Sequence, residues 1–186
     1  MNNKPYCIFQ DLLNFIDDPK SEGTIYISFG SFAKMESLPE YLKQAFLKTF
    51  LAFPNHKILW KYDGGRIAGL PSNVKTLAWF PQQDILGIHR FLKIFIFLNL
   101  CSLKSTHLFS VSAHPKTKAF VSHGGNGGYQ EAIYCAVPLV MIPIFAEQNY
   151  NAILAESKEI AKVLNIETMN QQDLETALHD ILTIPK

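Results

Sequence analysis

FVSHGGNGGYQEAIYCAVPLVMIPIFAEQ, residues 120–148, alternates apolar and glycine-rich pieces, and that alternation decides the fold. Residues 118–122 form a short apolar run with strand character. His123-Gly124-Gly125-Asn126-Gly127-Gly128 is a turn, residues 129–136 have helical composition, and residues 137–142 return to a β-branched strand. A glycine-rich turn between a strand and a helix lets the main chain approach a ligand closely. The helix that follows adds about half a positive charge at its N-terminus, so the expected guest is an anion such as phosphate.

Outward from this stretch the pattern repeats. Residues 11–19 read as a short helix and residues 23–30 as a core strand. Residues 38–53 place Leu42, Ala45, Phe46 and Phe50 at helical spacing and stop at Pro54. Strands are expected at 56–62 and 74–80, separated by the polar turn 63–73, and helices at 149–164 and 171–182. Strands alternating with helices imply an α/β domain built on a parallel sheet with helices on both faces. Ligands of such sheets bind at the carboxyl ends of the strands.

Composition narrows the function. The chain has 186 residues, 48% of them hydrophobic and 18% charged, in the range of one ordinary globular domain. A net charge of +1 gives no footprint for nucleic acid. Cys7, Cys101 and Cys135 are odd in number and far apart, which indicates neither a disulfide framework nor a zinc site. No signal segment opens the chain, and its longest apolar run, 91–100, is interrupted by Lys93 and too short to span a bilayer.

Three blocks together resemble the UDP-glycosyltransferase family, especially its glucuronosyltransferase-like members. Phe120-Val121-Ser122 precede His123, Gly125 follows two residues later and Glu131 eight later. Pro138 and Pro143 stand five apart before Glu147-Gln148. Upstream, Ser28-Phe29-Gly30-Ser31 and Trp79-Phe80-Pro81-Gln82 match in the same order. The resemblance implies a Rossmann-like parallel sheet, the UDP-sugar-binding C-terminal half of a glycosyltransferase B fold, extending over residues 1–186. The donor would be a UDP-sugar, with no cofactor and no metal.

The resemblance also assigns roles. Trp79 would stack on uracil and Gln82 would bond its polar edge, while Glu131 would hold the ribose. His123 and the turn Gly124, Gly125, Asn126 and Gly127 would hold the pyrophosphate together with Ser31, and Glu147 and Gln148 would read sugar hydroxyls. One departure is Gly127, where many relatives carry a polar side chain; Asn126 lies one position early. Trp60 and the isolated His56, His107 and His179 read as core or surface, and the charged run 156–162 as a solvated helix face.

Relatives place the catalytic base on an N-terminal domain and carry a C-terminal membrane anchor, which puts the full-length enzymes at the lumenal face of the endoplasmic reticulum membrane. Neither part is expected within this chain, so no catalytic residue is assigned and the isolated chain should not transfer sugar. A complete enzyme would invert the sugar's configuration while passing a hexosyl or glucuronosyl group to a small lipophilic acceptor. The alternative is a non-catalytic UDP-sugar-binding partner of a full-length relative. An oxidoreductase reading fails on the single glycine of Ser28-Phe29-Gly30-Ser31-Phe32-Ala33. Finally, residues 87–112 separate Asp84-Ile85-Leu86 from His114-Pro115, where relatives run on almost directly. Their ends are codable as splice sites, and excision would leave Leu86-Ala-His114. The segment reads as a retained intron or a gene-prediction error, with a genuine surface insertion as the alternative.

Overall fold

The computed structural model of the protein describes residues 5–30, 35–86 and 115–183. Six strands form one sheet: β1 (Gly23–Ser28), β2 (His56–Lys61), β3 (Val74–Leu77), β4 (Thr117–Ser122), β5 (Leu139–Met141) and β6 (Ala161–Val163). Their spatial order is β3-β2-β1-β4-β5-β6 and every pairing is parallel. The described helices are α1 (Pro5–Ile16), α2 (Glu40–Ala52), α3 (Gln82–Leu86), α4 (Asn126–Tyr134), α5 (Ala146–Ser157) and α6 (Gln171–Leu182), with a 3-10 turn at Met35–Ser37.

Strand periodicity splits the core into two layers. Ile25, Ile27, Ile58, Trp60, Ala119, Val121 and Val140 face one side, where they meet Leu42, Phe46 and Phe50 of α2 and Leu174, Leu178 and Ile181 of α6. The alternate residues Tyr26, Leu59, Phe120, Leu139 and Met141 face Leu12 and Ile16 of α1, Ile85 and Leu86 of α3, Tyr129 and Ala132 of α4, and Ala152 and Ala155 of α5. Strands buried on both faces read as continuous apolar runs because neither face meets water. Helices therefore cover both sides, as the alternating pattern implies.

Helix ends follow local chemistry. Asn170 caps α6, its side chain accepting from the Gln172 and Asp173 amides while Asp173 accepts from the Asn170 amide. After α2, Pro54 blocks continuation.

The structure corrects several sequence boundaries. Residues 149–164 are not one helix: α5 begins at Ala146 and ends at Ser157, Glu159 takes a positive φ of 58°, and Ala161–Val163 pairs with β5 as an edge strand. Three residues carry too little periodicity to announce a strand, and tertiary pairing overrides the helical composition around them. The charged run 156–162 is accordingly a helix end, a turn and a strand, with Lys162 paired to Asp180 of α6 at 2.9 Å. Helix α1 starts earlier than the sequence indicates, and α4 begins at Asn126, inside the glycine turn. Strand β3 stops at Leu77, and the short α3 follows it.

Candidate functional site at the carboxyl edge of the sheet

In the order β3-β2-β1-β4-β5-β6 the chain reverses direction of travel between β1 and β4, and a doubly wound sheet opens its crevice there. Both strands end alike. Ser28 lies opposite Ser122 in the ladder, and each serine hydroxyl accepts from the amide two residues on, Gly30 at 3.4 Å and Gly124 at 3.2 Å. Gly30 has φ of 70° and Gly124 of 83°, the left-handed region that glycine enters without a Cβ penalty.

These paired turns seat one ring. A Cβ on Gly30 would stand 2.8 Å from His123 Cε1, and a Cβ on Gly125 2.5 Å from His123 Nε2. The imidazole thus lies against two bare α-carbons, with Phe29 stacked at 6.5 Å. Its Nδ1 is buried and bonds to no described residue. Burial holds the His123 pKa below the ordinary histidine value; Glu147 pulls it the other way and Lys61 adds to the lowering. The ring is therefore mostly neutral near pH 7, and a phosphate beside it would favour its protonated form.

The turn amides divide by function. Gly124 uses its N–H on Ser122 and its carbonyl on Asn151 Nδ2 at 2.9 Å, so its part is to shape the turn. Gly125 is the extended residue before α4, with no side chain capping the helix, and Asn126 and Gly127 are exposed in its first turn. Their amides belong to the unpaired set that gives a helix N-terminus its attraction for anions. Asn126 Oδ1 accepts from Asn151 at 2.9 Å.

A second group assembles beside the turn. Trp79, between β3 and α3, is 70% exposed, a flat apolar surface left in solvent. Gln82 Nε2 donates to Glu131 Oε2 at 2.7 Å, and Gln83 Nε2 to Glu131 Oε1 at 3.1 Å. These bonds tie the Trp79 loop to α4. Farther along, Glu147 is exposed in the first turn of α5. Gln148 is only 4% exposed, and its Oε1 accepts from the Ile144 and Phe145 amides at 2.8 and 3.1 Å, holding the start of that helix. Ser31 and the segment 87–112 lie outside the described residues, as do His107 and His114.

Two residues were missed by reading the sequence. Lys61, at the end of β2, donates from Nζ to the Gly30 carbonyl at 2.6 Å and brings a cation to the crevice. Its signal was position, since carboxyl strand ends supply ligand groups in such sheets. Asn151 is buried and ties the glycine turn to α5; nothing in its local sequence distinguishes it from a helix-surface asparagine.

A cavity of about 530 Å³ lies at the opposite edge of the sheet, between Phe53, His56, Lys118 and His179. Ends of α2 and α6 line it, at Ala52 and Leu182. Helix C-termini carry partial negative charge, so that edge is the poorer place for a phosphate. Among the described residues no group of three or more His, Cys, Asp or Glu could hold a metal ion.

A doubly wound parallel sheet with a histidine-bearing glycine turn at its switch point is the Rossmann-like architecture found in glycosyltransferases of the B type. The chain belongs to the UDP-glucoronosyl and UDP-glucosyl transferase family, whose model matches residues 2–98 and 109–186. It is 35% identical over 176 residues to UDP-glucuronosyltransferase 2B17 of Rattus norvegicus, covering 95% of this chain and 28% of that protein. To UDP-glucuronosyltransferase 2A2 of Homo sapiens it is 34% identical, covering 95% and 27%. The chain thus spans little more than a quarter of the length of these relatives. Among solved structures, the glycotransferase of kitacinnamycin superposes with a TM-score of 0.68 at 23% identity, over 90% of this chain and 37% of that one. Spinosyn forosaminyltransferase SpnP gives 0.65 at 15% identity, over 91% and 37%. These two show the shared fold. Among the described residues no helix is long and apolar enough to cross a membrane.

Proposed function

We propose that the chain binds the UDP-sugar donor of a glycosyltransferase. Uracil stacks on Trp79; Gln82, whose amide is bonded to Glu131, is moved on this reading from the uracil edge to the ribose, which bonds to the Gln82–Glu131 pair, and the pyrophosphate lies against His123 and the first amides of α4. The sugar extends toward Glu147 and Gln148, where Gln148 has its acceptor oxygen committed to the backbone and only its amide hydrogens to offer. No cofactor or metal takes part. The observation that carries this reading is the Gln82–Glu131 bond, which ties the segment after the exposed Trp79 to α4, the helix that follows the His123 glycine turn. In the complete enzyme the reaction is inverting transfer of a hexosyl or glucuronosyl group to a small lipophilic acceptor, with the helix N-terminus and His123 stabilising the departing UDP.

Calorimetric titration of the chain with UDP, UDP-glucose and UDP-glucuronic acid tests the reading. Trp79→Ala should weaken UDP binding by roughly 1–3 kcal/mol, about five- to 150-fold, without disturbing the fold, because the ring already stands in solvent. A folded variant with unaltered affinity removes Trp79 from the site.

Residues 87–112 are, on the same reading, foreign to this domain. The family match omits 99–108, although it continues through 87–98. The described residues on either side are joined: Thr117 Oγ1 donates to the Ile85 carbonyl at 2.7 Å. Deleting it, with Leu86 joined through one alanine to His114, should leave β4 in register, raise solubility and keep or improve UDP affinity. A deletion that unfolds the domain would make the segment a true part of the fold.

A further inference from the structure

Resting on the UDP reading of this site, we propose that Tyr26 is a positioning residue of the nucleoside subsite, its hydroxyl fixing the orientation of the Gln82 amide that faces the ribose with Glu131. The tyrosine lies inside β1 and is 1% exposed. Its ring stacks on Phe120 at 5.0 Å and 17°, and meets Phe80 edge-on at 5.9 Å. A ring clamped on two sides holds its hydroxyl at one point. That hydroxyl donates to Gln82 Oε1 at 3.2 Å, and Gln82 Nε2 donates onward to Glu131 Oε2.

An amide side chain can turn end for end, exchanging donor and acceptor, unless its neighbours forbid it. Here both neighbours agree. Glu131, ionised, only accepts and so requires the nitrogen; Tyr26 supplies the proton that the oxygen requires. Burial pushes the phenol pKa far up, with the Ser28 hydrogen bond opposing and the Glu131 charge adding, so the hydroxyl remains a donor throughout the working pH range. Gln82 is left with one N–H and one lone pair, set beside the free lone pairs of Glu131. That array fits a vicinal diol, whose hydroxyls both donate and accept. Without the Tyr26 hydroxyl the amide loses one of the two contacts that order it and is held by Glu131 alone, free to swing about that bond.

The test is a double-mutant cycle read by calorimetric titration of UDP and 2′-deoxy-UDP, with thermal melting as the control for folding. Tyr26→Phe should keep the ring packing and weaken UDP about two- to tenfold, while narrowing the preference for UDP over its deoxy analogue. In a Gln82→Ala background the same change should cost nothing further, because the residue through which Tyr26 acts is gone. The proposal is overturned by a folded Tyr26→Phe variant with full UDP affinity, by an equal loss in the Gln82→Ala background, or by a Tyr26→Phe variant that cannot fold. Failure of the wild-type chain to bind UDP, or a Gln82→Ala variant with unchanged affinity, would instead overturn the underlying site reading, and the proposal with it.

Discussion

Gly125→Ala should fold and yet bind UDP roughly ten- to a hundredfold more weakly than the parent chain. Gly125 has φ of −62° and ψ of 144°, a conformation alanine adopts freely, so the backbone loses nothing. What changes is the space beside it. The added methyl would stand 2.5 Å from His123 Nε2, and the ring has little room to give because Gly30 and Phe29 also lie against it. The imidazole must rotate out of its seat, and the phosphate loses a hydrogen bond to an ionisable partner, worth about 1.5–3 kcal/mol. Calorimetry and a thermal melt on one preparation separate the two quantities. Gly30→Ala makes a useful companion: it crowds the same ring, and its φ of 70° adds roughly 1–2 kcal/mol of backbone strain. Unchanged UDP affinity in Gly125→Ala would show that the ring does not touch the nucleotide.

Trp60→Ala should be the most damaging single change to stability. Trp60 is fully buried, stacked on Phe46 at 5.9 Å and packed against Phe50 and Tyr62 at 5.2 and 4.9 Å. Truncating so large a core side chain costs about 3–5 kcal/mol, against a total of about 5–15 kcal/mol for a typical domain. For a domain of this size that lowers the melting midpoint by roughly 6–20 °C. Trp60→Phe should cost clearly less than the lost volume implies. The indole Nε1 is buried without a hydrogen-bond partner among the described residues, and its removal relieves an unsatisfied donor. A Trp60→Ala variant that melts with the parent would contradict the packing described here.

The two tryptophans show where sequence reading succeeds and where it needs the fold. Trp60 lies in an apolar run between charged neighbours and reads as core; Trp79 precedes Pro81-Gln82 and reads as a ligand surface. Burial separates them in the same sense, one enclosed and the other in solvent. Gln148 is different. Its position beside Glu147 suggests a shared role toward the sugar, yet the helix turns one outward and the other inward to hold the Ile144 and Phe145 amides. Adjacent residues on a helix point about 100° apart, so the two would meet a sugar from different directions, Gln148 with only its amide hydrogens to offer. Tyr26 was legible only as one more apolar strand residue; its bond to Gln82 spans 56 positions, and no local pattern records it.

By itself the sequence determined the α/β class, the two-faced burial of β1, β2 and β4, the family, and the turn from Ser122 to Asn126 on which an anion can rest. Each is written locally, in continuous apolar runs, in glycines where the backbone takes positive φ or runs against a ring, and in motif spacing. Tertiary structure alone decided the order of the strands, which brings Gly30 against the His123 ring. It also decided the end of α5 at Ser157, the pairing of β6, and the bonds that join Tyr26, Gln82 and Glu131. Those depend on which strand lies beside which, a choice set by packing between residues distant in the chain.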